Sequence, residues 1–494
     1  MTRAQAPGVA RAAAVTSLVL AVLFHRQIRP AAAPRPSAQP LAQLRQDIDA
    51  TLSAPELQAT QWGILVQSLG PDAGTVYALN ERTLMMPASS LKIVTLAAAA
   101  ERLGWDFSYE TRLVTDGTLR GDTLDGDLLI VGSGDPSLDR EALESWSDRL
   151  RALGISRIGG RVIADSRAFG EQGLGSGWSW DDLAYYYAAP IAAAQFNENA
   201  VEATLTPGAV PGAPVAVALS PAGSGLEIDN RMRTDSAGTF QEFVARRAPG
   251  SSSVVIEGTM TVRSPAVVRG LSVPDPARFL AAALTETLVT KGIRVSGAPG
   301  ALAGGAAGPA SVAPLFAYRS PPLSALARRL MDVSQNQYAE TLIMTLGANA
   351  GTPTFDRGLK VVEEMLAAWG IGENQAVLRD GSGLSRYNYI SPDAMVAVLT
   401  HEYRDPAQSE LFFSSLTLAG RSGRIAMRLR NTAAEGHVRA KDGSMAGVRA
   451  LCGIITMPDA RPLVFAIFAN GFSVPGPTIT AAIDAIVLRL ANYR

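Results

Sequence analysis

The sequence predicts an α/β chain of the α+β kind: a helix-covered antiparallel sheet split by a large, mostly β insertion. Three observations lead there. Strand-like apolar runs lie near both ends, at residues 62–69, 74–80, 448–457 and 463–470, while patterns of helical period fill 323–331, 335–346, 355–369 and 392–403 between them. Residues 109–313 differ in texture, with short strand-like runs, many glycines, and helical periodicity only at 140–153 and 277–291. Finally, 494 residues are more than one hydrophobic core usually serves.

Taken in order, Arg3 and Arg11 precede an apolar run at 12–24, and small residues follow at Ala31, Ala32 and Ala33. Residues 1–33 therefore read as a secretory signal, with an uncleaved anchor, a membrane tether through 12–24, as the alternative; the run is shorter than the roughly 20 residues of a membrane span. Residues 34–43, with the stretch PRPSAQP, read as a tether. A helix is expected at 41–52, then two strands at 62–69 and 74–80 joined across a Gly-Pro turn. The split domain comprises 44–108 and 314–494, and the insertion, 109–313, is expected to have two parts. An amphipathic helix at 478–493 closes the chain.

A formal net charge of −1 gives no electrostatic case for a nucleic-acid partner. The single cysteine, Cys452, has no partner in the chain and reads as a small buried hydrophobe in a strand, so export needs no disulfide.

Pro87-Ala-Ser-Ser-Leu-Lys92 opens the helix that follows the hairpin. Residues three apart on a helix share a face, so the Ser89 hydroxyl and the Lys92 ammonium can meet. Serine becomes a nucleophile when a neighbouring base takes its proton, and lysine is such a base only when burial lowers its pKa. The run LKIVTLAAAA at 91–100 is apolar nearly all round, with Lys92 its only charge, and Gly104 stands where the helix should end. The bland alternative is a chance S-x-x-K, but only four of the 44 basic residues are lysines: Lys92, Lys291, Lys360 and Lys441. Arginine cannot give up its proton, so lysine at a buried position in so arginine-rich a chain points to a base.

Ser334-Gln335-Asn336 opens a second helical run, where serine alone would suggest a cap. Lys441-Asp442-Gly443-Ser444 alone would suggest no more than a strand glycine admitting a close neighbour. In the order S-x-x-K, S-x-N, K-x-G, the three motifs resemble the signature of serine penicillin-recognising enzymes. The flanks PASSLKIVTLAAA, GSGDPSL at 132–138, SQNQYAETLI, DGSGLSR at 380–386 and AKDGSMAGV narrow the resemblance to low-molecular-mass, class C penicillin-binding proteins, the D-alanyl-D-alanine carboxypeptidase/endopeptidase family.

The resemblance implies a transpeptidase/β-lactamase type of sheet domain with a long insertion between its first two motifs, and Ser334 indeed follows Lys92 by 242 positions. It implies hydrolysis of D-Ala-D-Ala termini and cross-links in peptidoglycan stem peptides through an acyl-serine that β-lactams trap, with no cofactor, in the periplasm or cell envelope. By the same resemblance Ser89 is the nucleophile, Lys92 the base, Ser334 a proton relay and Asn336 a holder of the substrate amide. Lys441 supplies positive potential, Asp442, Gly443 and Ser444 bind substrate, and the oxyanion hole is the N–H groups of Ser89 and Ser444. Asp442 departs from the family, which usually has a hydroxyl residue there. An ionised Asp442 about 4 Å from a substrate carboxylate would cost about 1 kcal/mol in water and about 4 kcal/mol at an effective dielectric near 20. Two arrangements avoid that cost: Asp442 pairs with Lys441 or an arginine and faces away, or Ser444, on the same face of the strand, provides the hydroxyl.

Other functions fit less well. There is no G-x-S-x-G, His25 lies in the leader, and His401 and His437 have no neighbouring motif, which disfavours a Ser-His-Asp hydrolase. His401-Glu402 lacks the second histidine of H-E-x-x-H, so no metal site is indicated. A β-lactamase would be expected to show an E-x-x-L-N stretch, which is absent. A catalytically weak or silent peptidoglycan-binding protein remains the alternative, with Asp442 its best argument.

Overall fold

A computed structural model describes residues 40–493, apart from 71–72, 171–172, 237–241, 305, 307, 310, 352 and 459–460. The expected leader and most of the expected tether lie outside the described residues, while 41–43 already belong to the first helix.

Alternation of apolar side chains builds a six-stranded, wholly antiparallel sheet from both ends of the chain. Its strands are β1 (Gln61–Ser68), β2 (Gly74–Leu79), β3 (Thr417–Leu418), β4 (Val438–Met445), β5 (Val448–Ile455) and β6 (Leu463–Asn470), in the spatial order β2-β1-β6-β5-β4-β3. Along β6, Phe465, Ile467 and Ala469 point into one core, and Val464, Ala466 and Phe468 into the other. Both faces of the sheet are thus covered, and the central strands are apolar on both sides.

The first core is completed by α1 (Leu41–Leu52) and by a C-terminal helix, Gly476–Asn492, whose Ile479, Ile483, Ile486 and Leu490 recur at helical spacing. The second contains α2 (Lys92–Leu103), α3 (Leu323–Asp332), α4 (Asn336–Asn349), α5 (Phe355–Ala368) and α6 (Pro392–Arg404). The helix ends carry physical stops: Gly104 takes φ +84° at the end of α2, and the Ser391 side chain accepts the Ala394 N–H at the start of α6. Cys452 is fully buried in β5, as a small hydrophobe, with its thiol pushed up to about 12 by burial.

Strand Glu110–Thr115 pairs with Ala313–Arg319, closing the base of the intervening region. Strands from 110–165 and 294–319 make two sheets there, strands from 200–272 make two more, and a core of its own runs through them around Trp146, Phe196 and Phe279.

Candidate active site

The site begins where β4 passes the entry to α2. Residues Ala88–Leu91 form a turn of 3-10 helix before α2 proper, tighter than the α-helix the sequence suggests but with positions i and i+3 still in line. Ala88 takes φ +45°, a strained value for a residue with a Cβ, and presents Ser89 to a cleft of about 500 Å³. Lys92 Nζ lies 3.0 Å from Ser89 Oγ, 2.6 Å from Asn336 Oδ1 and 2.8 Å from the carbonyl oxygen of Ser382. Its side chain is 0% exposed. Burial, reinforced by the charge of Lys441, drives the Lys92 pKa well below its usual value; Glu340, Asp380 and Asp442 oppose this more weakly.

The second motif meets the first directly. Asn336, at the start of α4, accepts from Lys92 and donates through Nδ2 to the Tyr187 carbonyl at 2.7 Å. Ser334 lines the same cleft as Ser89 with φ +60°, a second strained backbone position there. It is not the helix cap, since Gln335 holds that position.

The third motif lies on β4. Gly443 does not line the cleft; it lets the strand approach, because a Cβ there would sit 2.4 Å from the Pro87 carbonyl oxygen. Asp442 and Ser444 do line it, two residues apart on one face. Lys441, 0% exposed, donates to the Asp442 carbonyl oxygen at 2.7 Å and to Asp442 Oδ1 at 2.8 Å, while Arg424 Nε donates to Asp442 Oδ2 at 3.0 Å. Burial alone would raise the Asp442 pKa, but Lys441 and Arg424 overcome it and hold the carboxyl well below the usual carboxylate range. Asp442 is thus paired, as one of the two expected arrangements has it, but it does not face away, since it lines the cleft together with Ser444. Two cations and one anion leave this corner a net positive charge.

Several partners were not legible. The quoted DGSGLSR stretch supplies the Ser382 carbonyl to Lys92 and is itself strapped down: Glu340 Oε2 and Oε1 accept the N–H groups of Gly381 and Ser382 at 2.9 and 2.8 Å, and Thr95 Oγ1 donates to the Gly381 carbonyl at 2.6 Å. The region 109–313 reaches in with Asp182, Tyr186 and the Tyr187 carbonyl. Arg424 is one arginine among 40, with no motif around it. Nothing local marks these roles, because they arise from contacts between segments 18 to 290 positions apart in the chain.

Residues 44–493 match the D-Ala-D-Ala carboxypeptidase 3 (S13) family. A D-alanyl-D-alanine carboxypeptidase of Actinomadura sp. (strain R39) is 35% identical over 500 aligned positions, covering 98% of this chain and 91% of that relative. The D-alanyl-D-alanine carboxypeptidase DacB of Haemophilus influenzae is 29% identical, covering 80% and 82%. A crystal structure of penicillin binding protein 4 (dacB) from Haemophilus influenzae superposes with a TM-score of 0.79 at 27% identity, covering 90% of this chain and 98% of that one. The same protein complexed with a β-lactam gives 0.73 at 25% identity, covering 91% and 99%. With a family match over residues 44–493 and a relative 35% identical over 98% of this chain, the chain belongs to the D-Ala-D-Ala carboxypeptidase 3 (S13) family of serine peptidases.

Proposed function

We propose that this carboxypeptidase releases the terminal D-Ala of peptidoglycan stem peptides through an ester on Ser89, and that β-lactams acylate the same oxygen. The observation that carries the reading is a wholly buried Lys92 with its Nζ 3.0 Å from Ser89 Oγ at a cleft. A lysine kept neutral by burial can take the hydroxyl proton as Oγ attacks the penultimate D-Ala carbonyl. The N–H groups of Ser89 and Ser444 receive the oxyanion, and removing one such donor from an active site costs roughly 3 to 4 kcal/mol. The proton then passes through Ser334 to the leaving amine, and water cleaves the ester. Asn336 holds the peptide amide, and the positive corner of Lys441 and Arg424 faces the terminal carboxylate. Endopeptidase cleavage of D-Ala cross-links uses the same steps. Residues 1–33 act as an export signal, which places the enzyme in the envelope with its substrate.

A fluorescent penicillin is expected to label Ser89 at one equivalent, and Ser89→Ala to abolish both labelling and D-Ala release without loss of folding. An adduct mapped to Ser90, Ser334 or Ser444 would overturn the assignment. A silent binding protein predicts no release from a D-Ala-D-Ala peptide, and a β-lactamase predicts rapid loss of the label.

A further inference from the structure

At the far end of α2 lies a second group of ionisable side chains. Glu101 is nine residues beyond Lys92, about 14 Å along the axis at a rise of about 1.5 Å per residue. Its Oε2 is 3.0 Å from Nε2 of His401 on α6 and accepts the Trp369 indole N–H at 3.0 Å. The His401 ring stacks on Trp369 with centroids 4.6 Å apart. Beside it on α6, Glu402 is 0% exposed, and neither of its oxygens has a hydrogen-bond partner among the described residues. One donor atom from each of Glu101, His401 and Glu402 lies within 4.8 Å of the others.

We propose that Glu101, His401 and Glu402 form a binding site for a first-row divalent cation, with Zn²⁺ the best match, that staples the end of α2 to α6. A buried carboxylate without partners is costly in either state: ionised it lacks a counter-charge, and protonated it still needs an acceptor for its O–H. A dication placed among the three donors would supply the partner that the buried Glu402 carboxylate lacks. Two carboxylates and a neutral imidazole cancel a 2+ charge. The mixed N,O set suits zinc better than magnesium or calcium, which favour oxygen alone. Ideal tetrahedral donors about 2.1 Å from zinc lie about 3.4 Å apart, so the three donors need to draw together by about an ångström, and Glu101 is part-exposed. That exposed side is also the entry path, and it leaves the fourth position to water. Trp369 orients both His401 and Glu101, as outer-shell partners of metal ligands do. On binding, the imidazole N–H must be carried on Nδ1, which leaves Nε2 free to ligate.

The full chain, stripped with EDTA and titrated with Zn²⁺, tests this by calorimetry. One zinc per chain is expected, at micromolar affinity or tighter, with a change in tryptophan fluorescence. His401→Ala and Glu402→Gln should each weaken binding at least 30-fold, His437→Ala should not, and Mg²⁺ should not compete. Penicillin labelling of Ser89 should be unchanged in all of them. Glu402→Gln removes an unpartnered buried carboxyl at nearly constant volume, so a folded variant with a melting temperature no lower than that of the apo wild type is expected. Absence of stoichiometric binding up to millimolar Zn²⁺, or binding insensitive to both site variants, overturns the proposal.

Discussion

Lys92 and Lys441 are fully buried, whereas Lys291 and Lys360 lie in part-exposed ion pairs. The scarcity of lysine was therefore a legible sign of the site, and it separates two kinds of cation. Lys92→Arg keeps the charge but cannot accept a proton, so its acylation by penicillin should be as slow as that of Lys92→Ala, measured by stopped-flow with a reporter β-lactam. An arginine variant at near wild-type rate would make Lys92 an electrostatic residue only. Arg424 was not legible, since its role depends on a carboxylate 18 positions away on another element. Arg424→Gln takes the third-motif corner from one net positive charge to none. It should raise KM for a D-Ala-D-Ala peptide about tenfold, equivalent to about 1.4 kcal/mol, and change little for the same peptide with its terminus amidated. Equal effects on both peptides would show that Arg424 only holds Asp442 in place.

Long periodic elements were read nearly to the residue: α1 and β6 have the expected limits, and α2 ends at Gly104. The strand carrying the third motif was harder to see, because in β4 Arg439, Lys441, Asp442 and Gly443 interrupt the apolar alternation. Its shape is dictated by what it must approach. In Gly443→Ala the new Cβ would meet the Pro87 carbonyl oxygen at 2.4 Å, so β4 must move away from the turn that holds Ser89. A shift near 1 Å is enough to cost about 100-fold in acylation, while overpacking should cost about 1 to 3 kcal/mol of stability. Penicillin kinetics and urea unfolding of the same variant separate the two, and unchanged acylation would mean that the strand absorbs the methyl group without moving.

Over the whole molecule, the sheet domain drawn from both chain ends and the change of texture near residue 109 were legible, whereas the reach of region 109–313 into the cleft was not, since no pattern within it marks Tyr187 as the partner of Asn336. Buried acids spread through the helical layer set a response to pH. Burial raises Glu402 to about 8 from the ordinary 4.5, so its favourable share of stability is complete below about 4.5 and is lost as pH climbs through about 8. In EDTA, Glu402→Gln should therefore gain on wild type in urea unfolding between about pH 5 and pH 8.5, and a gap that stays constant would place the ionisation elsewhere. The register of the central sheet has one more consequence. Gln61 pairs with Asn470, so although one edge of β1 can pair with β2 at once, its other edge finds its partner only when nearly the whole polypeptide has left the ribosome. Ser89, Ser334 and Lys441 are all translated before β6 begins at Leu463. A message cut short just after Met445 would carry every signature residue and still yield no enzyme.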